Sequence, residues 1–501
     1  MNRIASAVAQ AIALIAVGVA GTSCAEQSTN PVILGSKDDT EGVLLGDVGM
    51  LAVEATGVRA EHRNAVGGTR ILWEALLRGD IDAYPEYTGT LLEEIFSDRP
   101  GLRVEDLESV LRELGVGITE PLGFNNTYVL GVTQELAGAR SLSTVSDLRA
   151  HTDLRFGFSN EFMDRGDGWP ALRLAYELEP AVVRGLDHDL AYRALEAGSI
   201  DVMDLYSTDP EIVLYDLVTL EDDRGHFPEY AGLFLYRLDL AERVPAAIAA
   251  LRSLAGSIGE ADMVSMNAAV KLDGIPSPHV AARFLAGLGI QTAEIRIPSR
   301  LERIAGHTAD HLVLVLISLV LALATALPLG IYAARRRNAG AVILGVVGAI
   351  YTIPALALLV FMIPLLGIGA APAIVALFLY SLLPIVRNTH AGLTGIPGPL
   401  RESAEALGLS PRTILRRIEL PLASPLIMAG IKTAVVINIG TATLGALIGA
   451  GGLGQPILTG IRLADTGLIL EGAIPAALLA LGAQALFDAL ERWVVPKGLR
   501  L

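Results

Sequence analysis

Two stretches of this chain place tyrosines and carboxylates at matching positions. ALLRGDIDAYPEYTGT at 75–90 and ALEAGSIDVMDLYSTD at 194–209 share Ala, Leu, Gly, Ile, Asp and Tyr in one register, offset by 119 residues. In each copy a helix end is followed by a glycine turn and a short strand starting near Ile-Asp, so Tyr87 and Tyr206 should emerge just beyond the carboxyl ends of strands. Open α/β sheets bind ligands at that place. A tyrosine offers the negative face of its ring to a cation and a polar tip to its neighbours. Glu86 and Asp209 beside it suit a bound cation, or an acid–base pair for hydrolysis. The rest of the chain speaks against catalysis: its eight histidines are scattered, and it has neither HExxH nor G-x-S-x-G. One cysteine, Cys24, excludes a disulfide framework and a Cys-based zinc cluster, and no metal or resident cofactor is expected.

The elements that must position these residues divide by composition. Mean hydropathy is +0.50, too apolar for a soluble protein of 501 residues, so part of the chain belongs in a membrane. Residues 1–300 carry 45 acidic against 24 basic side chains, and residues 301–501 carry 9 against 14. An acidic front half argues against nucleic-acid binding. Arg3 and the apolar run 4–19 read as an export signal over residues 1–24. Cys24 after Gly-Thr-Ser resembles a lipoprotein cleavage site, with ordinary cleavage nearby or a retained anchor helix as the alternatives; all three send the segment after residue 30 outside the cell. Residues 31–296 read as an α/β module long enough for two lobes. They are divided as 31–126 plus 229–296 and 127–228. A linker is expected at 297–306, followed by an all-α transmembrane domain at 307–501.

Five apolar spans are expected, at 311–334, 340–366, 370–386, 425–447 and 466–486, each long enough to cross a hydrocarbon core of about 30 Å. Arg335 to Arg337, Arg387, the arginines at 412, 416 and 417, and Arg492 with Lys497 and Arg500 place alternate ends in the cytoplasm, with the first span starting outside. Pro354 and Pro364 leave open whether the second span is broken. The loop between the third and fourth spans reads ESAEALGLSPRTILRRIELP (402–421). A short helix carrying Glu402, Glu405 and Leu407, a turn at Gly408 and a second helix from Pro411 would present a knob to a cytoplasmic partner. No Gly-Lys pair exists for a phosphate-binding loop, so ATP hydrolysis would need another chain. GAGGLG at 449–454 fits a dinucleotide glycine pattern by letter, but it follows a membrane span instead of a strand.

The loop resembles the ATPase-coupling loop of ABC importer permeases, with Glu402, Ala404, Gly408, Ile418, Leu420 and Pro421 at the family spacings and Ser403 replacing an Ala. In the soluble module, GGTRILWEALLRGDIDAYPEYTGTLL, GFNNTYVLGV, FGFSNEFMDRGDGW and DLYSTD resemble binding proteins for glycine betaine, carnitine and choline. The two resemblances together imply a type II periplasmic-binding-protein-like domain fused to its permease. They also imply a quaternary-ammonium cargo held in a box of Tyr87, Tyr128, Tyr206 and Tyr230. Arg165 would grip a ligand carboxylate, with Thr90 and Lys37 as supplementary donors, so betaines would bind better than choline. The implied assembly is a multi-pass homodimer in the plasma membrane lipid, with separate ATPase subunits binding ATP. Ergothioneine is an alternative cargo within the family, and a membrane-anchored sensing receptor is an alternative of another class.

Overall fold

The computed structural model describes residues 31–99, 101–296, 298–463 and 465–496; the expected export signal and Cys24 lie outside them. A five-stranded sheet with order β2-β1-β3-β10-β4 builds one lobe from β1 (Val32–Gly35), β2 (Ala60–Arg63), β3 (Ala83–Tyr87), β4 (Val116–Ile118) and β10 (Gly232–Arg237). The other lobe holds a three-stranded sheet of β8 (Met203–Tyr206), β5 (Tyr128–Thr133) and β9 (Leu217–Leu220). Beside it lies a parallel pair of β6 (Arg155–Ser159) and β7 (Val182–Leu186), joined to it by a bridge from Phe156 to Val202.

The repeated sequence reports a repeated construction. Helix α2 (Thr69–Arg78) ends on Gly79 at φ 79°, and α3 (His188–Glu196) is followed by Gly198 at φ 64°, a left-handed backbone that glycine adopts without Cβ strain. The aspartate of each Ile-Asp pair then clamps the neighbouring strand. Asp82 N–H donates to the Ile33 carbonyl at 2.7 Å, and its carboxylate accepts from Ile33 N–H at 2.8 Å. Asp201 repeats both bonds with Arg155, at 2.7 and 2.8 Å. One residue past the strands, Thr88 Oγ1 accepts from Ala231 N–H at 3.0 Å, and Ser207 Oγ accepts from Thr127 N–H at 3.1 Å. Ala231 and Thr127 lie where the chain crosses between lobes, so the two copies hold the two strands of the hinge.

The membrane part differs from the expected spans at its start and in its second crossing. Helix α5 (Arg300–Arg335) begins on the Ser299 cap, so residues 300–306 of the expected linker are helical. The second segment is broken: α6 (Arg337–Thr352) and α7 (Ala355–Leu366) meet at 97°. Pro354 causes the break by forcing Ile353 out of the helical region to φ −66°, ψ 130°. The Tyr380 hydroxyl donates to the carbonyl left free at Ile353. Then come α8 (Ala370–Thr394), α9 (Gly398–Ala406), α10 (Pro411–Ile414), α11 (Leu420–Thr441) and α12 (Thr466–Val494). Among the described residues four helical stretches are long and apolar enough to cross a membrane, or five crossings if the bent pair is one span.

Candidate functional site

A cavity of about 390 Å³ lies between the lobes, a size suited to a small molecule. The two copies deliver Tyr87 and Tyr206 to it as the last residues of β3 and β8, while Tyr128 opens β5 and Tyr230 precedes β10. The Tyr128 ring centre is 5.2 Å from that of Tyr206 and 5.8 Å from that of Tyr230, the latter pair edge to face. Phe162 backs the Tyr128 ring at 5.0 Å. Tyr87 packs edge-on against Phe124 at 6.5 Å and lines the same cavity. Burial, reinforced by nearby carboxylates, pushes the Tyr87, Tyr128 and Tyr206 phenols well above their ordinary range, so all three stay neutral. Asp and Glu outnumber Lys and Arg by seven to three among the lining residues, which biases the cavity toward a cation.

Arg165 reaches the site, where it is paired with protein carboxylates. Its Nε and Nη2 donate to the two carboxylate oxygens of Asp167 at 2.8 and 2.9 Å, and Nη1 reaches Glu94 at 3.3 Å and Glu161 at 3.4 Å. The planar fork that would receive a ligand carboxylate is closed on a protein carboxylate two residues along the chain. The guanidinium carbon lies 5.5 Å from the Tyr128 ring centre and 5.9 Å from that of Tyr230, so it is a cation already stacked on the box. Tyr230 donates its hydroxyl to Asp167 as well. Thr90 is buried in the cavity wall. Lys37 donates to Glu86 at 2.5 Å and lies 5.2 Å from the Tyr87 ring centre. Burial opposes its charge, but Glu86 outweighs burial and holds the ammonium protonated.

Sequence reasoning missed several lining residues. Glu41, at the start of helix α1 (Thr40–Glu54), is 5% exposed and accepts hydrogen bonds from Tyr87, Asn126, Thr208 and Asn267. Asn126 and Thr208 lie inside quoted motifs, whereas Asn267 is 226 residues from Glu41 and no local signal announces it. Lys271, one turn beyond Asn267 on helix α4 (Glu260–Lys271), bonds Asp189 and Glu211 of the opposite lobe at 2.7 Å each. His188 Nε2 lies 2.9 Å from Asp209. Burial disfavours its charge, yet Asp209 and Asp204 prevail and raise the imidazole well above its usual range, while Asp209 is held down to about 2 against its own burial.

None of this forms a hydrolytic centre. Glu86 is tied to Lys37, and Asp209 to His188 and Tyr192. A serine–histidine–aspartate row does occur, with His62 Nε2 2.9 Å from Ser36 Oγ and Nδ1 2.7 Å from Asp47. Ser36 is 0% exposed, however, and its Oγ also accepts Ala65 N–H at 3.2 Å, so the hydroxyl is part of the lobe core and out of reach of substrate.

On the membrane part, α9 ends in Gly408 at φ 73°, and Ser410 caps α10. Ala404 is buried, Glu402 and Gly408 are exposed, and Ile418, Leu420 and Pro421 are half-buried. Buried Glu419 accepts from Arg335 at the end of α5 at 2.5 Å and forms an ion pair with Arg401 on α9 at 2.9 Å, tying the loop to the bundle. At the other end, the first lobe rests on the bundle. Arg78 donates to the Ile363 carbonyl at 2.5 Å, and Gln455 donates to Asn64 at 3.3 Å. A Cβ on Gly449 would touch Val66, so the glycine turn serves as a seat for the lobe.

Residues 30–287 match the family described as the substrate binding domain of ABC-type glycine betaine transport systems. Residues 326–498 match the binding-protein-dependent transport system inner membrane component. The choline transport system permease protein OpuBB of Bacillus subtilis is 44% identical over 193 residues, which cover 38% of this chain and 89% of the relative. The osmoprotectant import permease protein OsmW of Salmonella typhimurium is 43% identical over 202 residues, covering 39% and 94%. A crystal structure of a glycine betaine/carnitine/choline ABC transporter aligns at 29% identity with a TM-score of 0.46, covering 52% of this chain and 99% of the other. With both matches lying on one polypeptide, this chain belongs to the ABC importers of the glycine betaine type and joins their substrate-binding domain to their membrane-spanning permease.

Proposed function

We propose that the chain captures a quaternary-ammonium compound outside the cell and passes it through its own membrane domain, with ATP hydrolysed on a separate chain. The observation that carries the ligand class is the tyrosine-walled cavity with its surplus of carboxylates. A trimethylammonium group has no N–H to donate, so ring faces are the groups that can hold it, at about 0.5–2 kcal/mol for each contact. The glycine betaine, carnitine and choline named for the relatives share this group. The exposed surface around Glu402 and Gly408 supports docking of the ATPase there. A translocation pathway between two membrane domains implies a homodimer in the lipid bilayer, with the binding domain extracytoplasmic and the 402–421 loop cytoplasmic. Isothermal calorimetry of the detergent-solubilised full chain against glycine betaine, carnitine, choline and ergothioneine tests the ligand class. Saturable binding of at least one is expected, and no heat from any of them would end the reading.

A further inference from the structure

The polar end of the cavity has an arrangement that the tyrosine box does not explain. Glu41 Oε1 accepts from Tyr87 OH at 2.6 Å and Asn126 Nδ2 at 2.8 Å, while Oε2 accepts from Thr208 Oγ1 at 2.6 Å and Asn267 Nδ2 at 2.8 Å. All four partners are neutral, so a buried carboxylate is solvated by dipoles and no protein cation among them cancels it. The same donors fix the two asparagines, because each must turn its NH₂ toward Glu41. Asn267 Nδ2 also donates to the Thr208 carbonyl at 3.2 Å, which confirms its orientation. The amide oxygens thereby turned away, Oδ1 of Asn126 and Oδ1 of Asn267, are buried without a hydrogen-bond partner, and both residues line the cavity. A buried acceptor left unpaired costs about 1–3 kcal/mol, a penalty that a ligand donor would remove. The cationic side chains expected to meet a ligand carboxylate are otherwise engaged, Lys37 with Glu86 and Arg165 with Asp167.

Resting on the quaternary-ammonium reading, we infer that Glu41 and the free amide oxygens of Asn126 and Asn267 select a ligand that is a net cation carrying a hydroxyl donor, an amino alcohol such as choline, over one that ends in a carboxylate. Glu41 supplies the countercharge, and the amide oxygens receive the hydroxyl. A carboxylate placed there would face one negative charge and two acceptors, with no donor left for it. Glu41 belongs to the lobe built on β1, and Thr208 to the lobe of β8, so the same carboxylate bridges the two lobes.

The test is calorimetry of the full chain in detergent with three probes: choline, glycine betaine and 3,3-dimethylbutan-1-ol, the neutral isostere of choline. The unmodified protein is expected to bind choline at least about tenfold more tightly than glycine betaine, equivalent to about 1.4 kcal/mol. Glu41→Gln is expected to weaken choline by at least about tenfold while moving the neutral isostere by less than about threefold. Glu41→Asp, which keeps the charge, should retain the order of choline over glycine betaine and decides the matter if Glu41→Gln does not fold. A preference for glycine betaine in either charged form, or an equal loss of choline and isostere in Glu41→Gln, overturns the assignment while leaving the tyrosine box standing. Failure of the unmodified protein to bind any probe overturns the quaternary-ammonium reading and this inference with it.

Discussion

At the scale of residues, the site is a contest between cations for the same ring faces. Tyr87→Ala and Tyr206→Ala each remove one face from a desolvated cation, and each should weaken choline binding by about 1–3 kcal/mol, a factor of about 5–150, with Tyr206→Phe costing less. Calorimetry on the full chain measures all three. Arg165 is tied to Asp167, so Arg165→Gln should change choline and glycine betaine affinities in parallel; a loss confined to glycine betaine would restore a ligand carboxylate as its partner. His188 carries the pH dependence. Its folded pKa lies above the unfolded value of about 6.5, so its contribution to stability is full below that pH and fades as pH rises through the folded value. Thermal unfolding of His188→Gln against the unmodified protein should show the widest gap below about pH 6.5 and a narrowing one above. The tyrosines were legible because short motifs carry them. The network on Glu41 was not, since Asn267 reaches it only through the packing of distant helices, and the closing of Arg165 on Asp167 depends on side-chain geometry that spacing does not express.

At the scale of elements, the repeated helix, glycine turn and strand could be read directly, because Gly79 and Gly198 mark turns that need positive φ and the Ile-Asp pairs mark strand starts. The hinge role of Thr88 and Ser207 could not be read, since their partners Ala231 and Thr127 lie far away in sequence, one on each crossing between lobes. In the membrane, apolar length joined α6 and α7 in one expected span, and Pro354, which left a break open in the sequence, marks the 97° bend. The loop at 402–421 followed its sequence closely, because a capping serine, a proline and a glycine at φ 73° are local signals. Gly408→Val would place a β-branched residue in a left-handed backbone at a cost of about 1–2 kcal/mol or more and a side chain on the exposed knob. Ligand uptake should be abolished while calorimetric ligand binding stays intact. Normal uptake would remove this loop as the ATPase contact, and loss of both would mean misfolding.

At the scale of the whole molecule, one chain joins a substrate-binding domain to a permease domain, with a lobe seated on the bundle through Arg78, Asn64 and the turn at Gly449, and the proposed coupling surface lies at 402–421. A cytoplasm-specific reporter should be active when fused after Leu501 and inactive when inserted in exposed loops between residues 40 and 290. The opposite pattern would invert the membrane orientation. In the proposed function, energy for transport arrives from a partner at the 402–421 loop, and cargo from the tyrosine-walled cavity. The most direct test of that account is uptake of radiolabelled choline into proteoliposomes holding this chain together with its ATPase, with ATP or ADP enclosed. Accumulation is expected with ATP alone, and its loss when Tyr87 and Tyr206 are both changed to alanine. Accumulation that needs no ATP, or that survives loss of both tyrosines, would contradict it.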